Sequence, residues 1–257
     1  MNRIVIPWVM ELSIAIGLLA VLLGALEAGF RAGCRKALTP AGAGANSQIG
    51  AIQGAILGLL GLLLAFSFAA AGTRFLERQD LITAEANAIG TASLRADLLD
   101  PPHRSELRAA LRDYTKRRIE VSKRVRFVID PADAAEFAQM HVRIWSAARA
   151  GVEAKPAAML AVLNPVNEVI DLHTTRLAAG RKHLPMPVLG LLVVCSALAT
   201  AITGYSSGIA DRRRSPLSAP LAVLIMAALW ITIDLDYPRI GLLQLNDAPL
   251  EELTFDE

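Results

Sequence analysis

Hydrophobic residues in this chain form long uninterrupted runs instead of the short alternating runs that are typical of soluble proteins. No Asp, Glu, Lys or Arg occurs within residues 37–73, 183–210 or 215–233. A helix needs about 20 apolar residues, at about 1.5 Å each, to cross the hydrocarbon core of a bilayer. Together with a first hydrophobic run near the N-terminus, the pattern predicts four membrane spans, at about residues 4–26, 50–72, 186–207 and 217–233.

The long segment between the second and third spans is polar and has a helical pattern. Asp100 and Asp130 each precede a proline, which places a capping side chain before a residue suited to the first helical turn. Asn164 before Pro165 predicts a further helix start. Because no run alternates like a strand, the predicted fold class is an all-α membrane protein with four transmembrane helices and a helical extramembrane domain. The predicted parts are an N-terminal transmembrane hairpin (1–73), the extramembrane domain (74–183), a C-terminal transmembrane hairpin (184–237) and an acidic C-terminal tail (238–257).

Composition narrows the classes of function. Of 257 residues, 54% are hydrophobic and only 19% are charged, which excludes an ordinary soluble protein. The net charge of +2 is too small for a nucleic-acid partner. The chain has no phosphate-binding loop, zinc-protease or nucleophile-elbow motif, and its four histidines lack metal spacing, so we expect no enzyme, no metal and no cofactor. The expected partner is the lipid bilayer.

The charges of the loops leave the orientation open. Arg31 and Arg35 in the first short loop, with 212–214 in the second, favour short loops in the cytoplasm and the domain outside. Basic residues that flank the membrane on the opposite side, such as Arg74 and Arg176, nearly balance this count.

Small residues follow one face of each of the first two spans. Such faces let helix backbones approach closely in lipid, so we predict that they pack helices together, within the chain or between subunits. A role of the second-span glycines in lining a pore is the alternative. The glycines concerned are Gly17, Gly24, Gly50, Gly54, Gly58 and Gly61.

Polar residues inside the spans suggest a path for ions. Glu11 is costly in a bilayer unless it has a partner, and it either belongs to such a path or reaches the headgroups. In the third span Ser196, Thr200 and Thr203 share one face; they either line a polar conduit or bond back to their own helix.

Two further sets of charges predict structural ion pairs. Glu85 lies on an apolar helical stripe, so it needs a buried partner; we expect Arg176 or Arg181, with Arg78 on the same face as Glu85. At the end of the fourth span we expect Arg239 to fold back onto one of two carboxylates, Asp234 or Asp236, as a structural cap.

These residues resemble those of the bacterial membrane proteins called bestrophin-like. The shared features are the glycine-rich second span followed by Arg78 and Glu85-Ala86-Asn87, Tyr114, Trp145, Leu184-Pro185, and the stretch from Asp234 to Gly241. The resemblance implies an anion channel with four spans, a pentameric plan, and the domain and both termini in the cytoplasm, which disagrees with the loop charges. The dense acidic cluster of the calcium clasp in animal bestrophins is missing from this sequence, which makes calcium gating unexpected.

Two functions therefore compete. In the first, a homo-oligomer in the bacterial inner membrane conducts anions through a pore lined by the second span, with Ile52 and Ile56 at a constriction and the basic helix after Pro101 attracting anions. In the second, the protein conducts nothing and is a membrane-anchored scaffold or sensor. If the basic helix after Pro101 does not attract anions, its charged residues form a solvated helix face.

Overall fold

The computed structural model describes residues 5–36, 44–124, 130–210, 217–238 and 241–255. Every regular element in these ranges is helical, which confirms the predicted all-α class. Four of the described helices are long and apolar enough to cross a membrane. The helices are α1 (Val5–Lys36), α2 (Gly44–Arg95), α3 (Pro101–Ser122), α4 (Pro131–Ala154), α5 (Met159–Arg181), α6 (Met186–Ala210), α7 (Ser218–Asp236) and α8 (Ala248–Glu251), with 3₁₀ turns at Ala96–Leu98 and Pro156–Ala158.

The chain divides into two compact units. The first comprises Met1–Thr73 and His183–Leu243, and the second comprises Arg74–Lys182 and Gln244–Glu257. The tail predicted as a separate part is thus divided, since it belongs to the first unit up to Leu243 and to the second from Gln244. Leu250 is the residue that indicated this division in the sequence, because it is apolar in an acidic segment. It is buried in the core of the second unit.

The first unit is built around the closely packed pair α1 and α6. A Cβ added to Gly29 would overlap the carbonyl oxygen of Ala201, and one added to Gly204 would overlap that of Leu26. Gly33 and Gly208 make the same kind of approach one turn further along each helix. The pair is therefore joined by a Gly-x-x-x-Gly motif on each helix, which brings the backbones into direct contact.

The six glycines predicted to pack helices lie elsewhere. A Cβ added to any of them would meet nothing within 4 Å: Gly17, Gly24, Gly50, Gly54, Gly58 and Gly61. Within the described chain, close packing thus uses the glycines at the other end of α1 and on α6. The sequence contained this second pair of motifs, but nothing in it ranked one set above the other.

The second unit is a helical domain with an apolar core shared by α3, α4, α5, α8 and the C-terminal part of α2. Leu107, Phe137, Ile144, Val166 and Leu250 are among its buried residues. Pro101 and Pro131 begin α3 and α4, as their Asp-Pro pairs predict. Asp130 caps the amide of Ala132 at 3.0 Å, but the cap predicted for the Asp100 side chain is wrong, because Asp100 makes no capping hydrogen bond.

The start predicted for α5 at Pro165 is wrong, because α5 begins at Met159 and Pro165 lies inside it. Proline has no N–H to bond the carbonyl four residues earlier, which here belongs to Ala161. Arg95 fills the gap, since its Nη1 donates to the Ala161 oxygen at 3.0 Å. A side chain from α2 thus replaces the backbone bond that proline removes.

Candidate functional site

The membrane part of α2 buries one face and exposes the others. Leu60, Ser67 and Ala71 are buried, and the face that they share packs on the apolar core of the first unit. At about 100° per residue, Gly50, Gly54, Gly58 and Gly61 fall within about 80° of one another, whereas Ile52 lies about 160° from the middle of that group. The exposed side of α2 therefore has two distinct faces, one of glycine and one of larger apolar residues.

The two isoleucines predicted at a constriction differ in their surroundings. Ile52 is 46% exposed, whereas Ile56 is half-buried against the leucine-rich core of its own unit. The larger exposed face of α2 continues from Ile52 to Leu59 and Phe66. Of the two side chains, that of Ile52 is consequently the more exposed.

The hydroxyl row of α6 is buried and bonds mostly to its own helix. Thr200 donates to the carbonyl of Ser196 at 3.0 Å, and Thr203 donates to that of Ala199 at 2.8 Å. From α2, Gln53 donates its Nε2 hydrogen to Thr203 Oγ1 at 3.2 Å. The hydroxyl groups are therefore buried, whereas Ile52 is exposed, so that these residues do not share one open surface.

The two carboxylates at the end of α7 hold backbone amides. Asp236 is fully buried, and its Oδ2 accepts the N–H of Leu184 at 2.8 Å. Asp234 Oδ2 accepts the N–H of Leu243 at 3.0 Å, and Gly241 approaches the same carboxylate so closely that a Cβ there would overlap Oδ1. Asp234 thus holds the segment after α7 against the end of that helix, whereas Asp236 holds the segment that precedes α6. Arg239 lies outside the described residues, and Glu11 lies in α1 with its side chain also outside them.

The most charged buried site lies in the centre of the domain, around Glu85. This carboxylate is fully buried on α2 and accepts two hydrogen bonds from Arg118, at 3.0 Å to Oε1 and 3.1 Å to Oε2. Tyr114 donates its hydroxyl to Oε1, and Arg176 donates Nη1 to Oε2. Three helices, α2, α3 and α5, are therefore joined through one carboxylate.

Of the arginines named from the sequence, Arg176 contacts Glu85, whereas Arg181 is exposed. Arg78 lies near the end of α5, where its Nε donates to the Ala179 carbonyl at 3.2 Å and its Nη2 donates to Lys182. A guanidinium placed there satisfies carbonyls that a helix C-terminus leaves without backbone donors.

The charges of this site set its protonation. Burial alone raises the pKa of Glu85, but Arg118 and Arg176 outweigh burial and lower the pKa to about 2. Burial and the adjacent carboxylate raise the pKa of Tyr114 well above its usual value. His173 contacts the Tyr114 hydroxyl, and its pKa falls to about 3 because of burial and the nearby Arg118. At neutral pH the site therefore holds an ionised Glu85, a neutral Tyr114 and a neutral His173.

Several arginines of the basic helix α3 are paired with carboxylates of their own domain. Arg117 bonds Asp133 at 2.7 Å, Arg108 bonds Asp97 at 3.0 Å, and Arg118 bonds Glu85. These three arginines of α3 are therefore held by carboxylates of the domain, whereas Lys116 on the same helix is exposed.

Comparison with known protein families shows to which family the chain belongs. The Bestrophin-like domain family matches residues 16–250, which is most of the chain. The chain belongs to the bestrophin-like family. No curated protein and no solved structure matches this bestrophin-like chain.

Several residues of the central site in this bestrophin-like protein escaped the sequence interpretation. Arg118 is one of many arginines on a basic helix, so nothing distinguished it from those at the surface. His141 and His173 lie on the successive helices α4 and α5, and no spacing rule relates them. The available signal was periodicity, because Tyr114 and Arg118 are four residues apart and so share a face of α3 with buried Leu107 and Leu111.

Proposed function

We propose that several copies of this bestrophin-like chain form an anion channel in the bacterial inner membrane, with the membrane part of α2 lining the conduction path. The proposal rests on the exposed sides of α2. Only one face of this charge-free segment packs on its own subunit, and both the glycine face and the face that includes Ile52 stay uncovered. In a ring of subunits, one of these faces adjoins a neighbour and the other faces the axis.

The chemistry of this path favours weakly hydrated anions. Residues 50–72 carry no charge, and the exposed side chains near Ile52 and Leu59 are apolar. An ion that passes an apolar constriction loses part of its water shell, so a large anion crosses at lower cost than a small, strongly hydrated one. We therefore expect iodide or thiocyanate to permeate better than chloride. The expected orientation is that of bestrophins, with the domain in the cytoplasm.

The test combines electrical recording with cysteine accessibility. The full chain is purified with Cys34 and Cys195 replaced by alanine and reconstituted in planar bilayers. Cysteine is introduced at Ile52 or Gly54, and the matched control is Leu198, a half-exposed residue of α6. We expect an anion current that a charged thiol reagent reduces for the cysteine on the axial face but not for the Leu198 variant.

The opposite result has a defined meaning. If intact oligomers carry no current under any of these conditions, the channel proposal is wrong and the membrane-anchored scaffold or sensor is the better account. A current that reagents at Ile52 and Gly54 leave unchanged would contradict the assignment of α2 to the path.

Orientation has its own measurement. Ala135 is exposed on α4, unlike the adjacent Asp133, which is buried in ion pairs. With the native cysteines removed, an Ala135→Cys variant in intact cells should resist a membrane-impermeant maleimide and react only after the membrane is opened. Labelling in intact cells would place the domain outside.

A further inference from the structure

A hydrogen-bonded chain of titratable groups runs through the domain core, and the proposed conduction path does not use it. His173 Nδ1 lies 3.2 Å from the Tyr114 hydroxyl, which in turn donates to Glu85. The ring of His141 meets that of His173 edge-on, with centroids 4.6 Å apart. The hydrogen bonds therefore lead from His173 on α5 through Tyr114 on α3 to Glu85 on α2, and His141 on α4 adjoins them through a ring contact.

The direction of each hydrogen bond follows from the charge of Glu85. An ionised carboxylate only accepts, so the single proton of Tyr114 is directed to Glu85. The Tyr114 oxygen must then accept from His173, which places the proton of this neutral ring on Nδ1 and leaves a lone pair on Nε2. His173 is thus held as a neutral imidazole in one tautomer.

His141 lies at the outer end of this series of contacting side chains. Its Nε2 is buried and has no hydrogen-bond partner within the part of the chain that the structure describes, although the residue as a whole is only half-buried. Because His173 is only 5% exposed and His141 is half-buried, His141 is the ring of the pair that an incoming proton reaches first.

Charged groups from every neighbouring element surround the two rings. Glu85 lies on α2, Arg118 on α3 and Arg176 on α5, and Asp247 after α7 lies 3.9 Å from Arg176. Two cations thus face two anions. A proton on either histidine adds a third cation inside a region that excludes water, which is costly unless the charged ring moves out.

The attachments of α4 define which part of it is able to move. Its first turn is held to α3 and to the turn after α3 through the ion pairs of Asp133 with Arg117 and Arg124, at 2.7 and 3.1 Å. The middle of α4 is attached to α3 by the half-exposed ion pair of Arg143 with Asp113, at 2.6 Å. Its contacts with α5 include the rings of Phe137 and His141 on His173, with Phe137 at 4.8 Å. A proton on the histidine pair acts on these ring contacts and leaves the ion pairs with α3 in place.

We propose that protonation of the His141–His173 pair releases the middle of α4 from α5. Uptake of a proton in mildly acidic conditions drives His141 into water and loosens the middle of α4 from α5, while its first turn stays bound to α3. This conformational change takes place within the domain and does not depend on whether the protein conducts ions.

Trp145 reports this movement, because it follows His141 by one turn of α4 and is 37% exposed. The full chain, with Trp8 and Trp230 replaced by phenylalanine, is titrated from about pH 7.5 to 4.5 in nanodiscs. Imidazole signals of labelled histidine are followed by NMR in the same sample. We expect a reversible red shift of Trp145 emission whose midpoint coincides with the titration of His141.

Two variants separate this release from general acid unfolding. His141→Phe keeps an aromatic ring but cannot take up a proton, so the emission shift should disappear; His141→Gln serves the same purpose if the first variant does not fold. The matched control His103→Gln should retain the shift. Titration of His141 without any change at Trp145, or a shift that persists in both His141 variants, would overturn the proposal.

Discussion

Glu85→Gln tests the energetics of the central site. The substitution keeps the shape of the side chain but removes the one negative charge that faces two guanidinium groups, and its amide N–H₂ would point at an N–H donor of Arg118 or Arg176. Glu85 is fully buried, and the side chains of Arg118 and Arg176 are 9% and 7% exposed, so solvent cannot replace the lost carboxylate. Breaking a buried ion pair in this way costs about 3–5 kcal/mol.

An exposed ion pair of the same domain is the control. Arg143 bonds Asp113 at 2.6 Å, but these side chains are 58% and 45% exposed. Asp113→Asn removes a carboxylate charge by the same chemical change, and it should cost less than about 1 kcal/mol because water screens the pair. The contrast between the two variants therefore compares a buried carboxylate that faces two guanidinium groups with an exposed carboxylate that faces one.

The measurement is the free energy of unfolding of the full chain in mixed micelles, together with hydrogen exchange of amides in α3 and α5. A second substitution, Arg176→Gln in the Glu85→Gln background, should recover part of the loss because it removes one unpaired cation. Equal losses for Glu85→Gln and Asp113→Asn, or no loss for either, would refute the reasoning that one buried carboxylate joins three helices.

Three further results are expected. Gly204→Val should lower the thermal stability of the first unit, because its side chain would enter the α1 backbone, whereas Gly58→Val should leave the fold of the single chain unchanged. Gly241→Ala should weaken the turn after α7, since its Cβ would overlap Asp234; a thermal-shift assay would detect no change if the close approach is unimportant. The lowered pKa of His173 means that the unfolded chain takes up a proton below about pH 6.5 that the folded chain refuses until about pH 3, so stability falls as pH falls through this window. His173→Leu should reduce that slope by up to about 1.4 kcal/mol per pH unit, as measured by unfolding at several pH values.

The architecture could be predicted because its signals are long and local. Charge-free runs of more than about 20 residues have few soluble interpretations, and an Asp-Pro pair marks a helix start through the geometry of its own residues. Pro165 misled the same rule because the compensation comes from Arg95, a residue far away in sequence. A local rule cannot include a donor that arrives from another helix.

The candidate site could be predicted only in part, for the same reason. A carboxylate on an apolar stripe announces that a partner exists, and the sequence restricted the choice to arginines. It could not select Arg118, because the side chain that reaches Glu85 depends on how α3 packs on α2. The glycine motifs show a related limit, since both Gly-x-x-x-Gly sets were visible but only the fold reveals that α1 meets α6 at Gly29 and Gly204.

The substitution of a side chain for a backbone donor at Pro165 links two distant positions. Arg95 is useful at its place because residue 165 is a proline, and proline is tolerated inside α5 because Arg95 reaches the Ala161 carbonyl. If alanine replaced proline, the ordinary helical bond would form and the guanidinium would lose its acceptor. In members of the family, the residues at positions 95 and 165 should therefore be replaced together, so that an alignment would show covariation of these two positions.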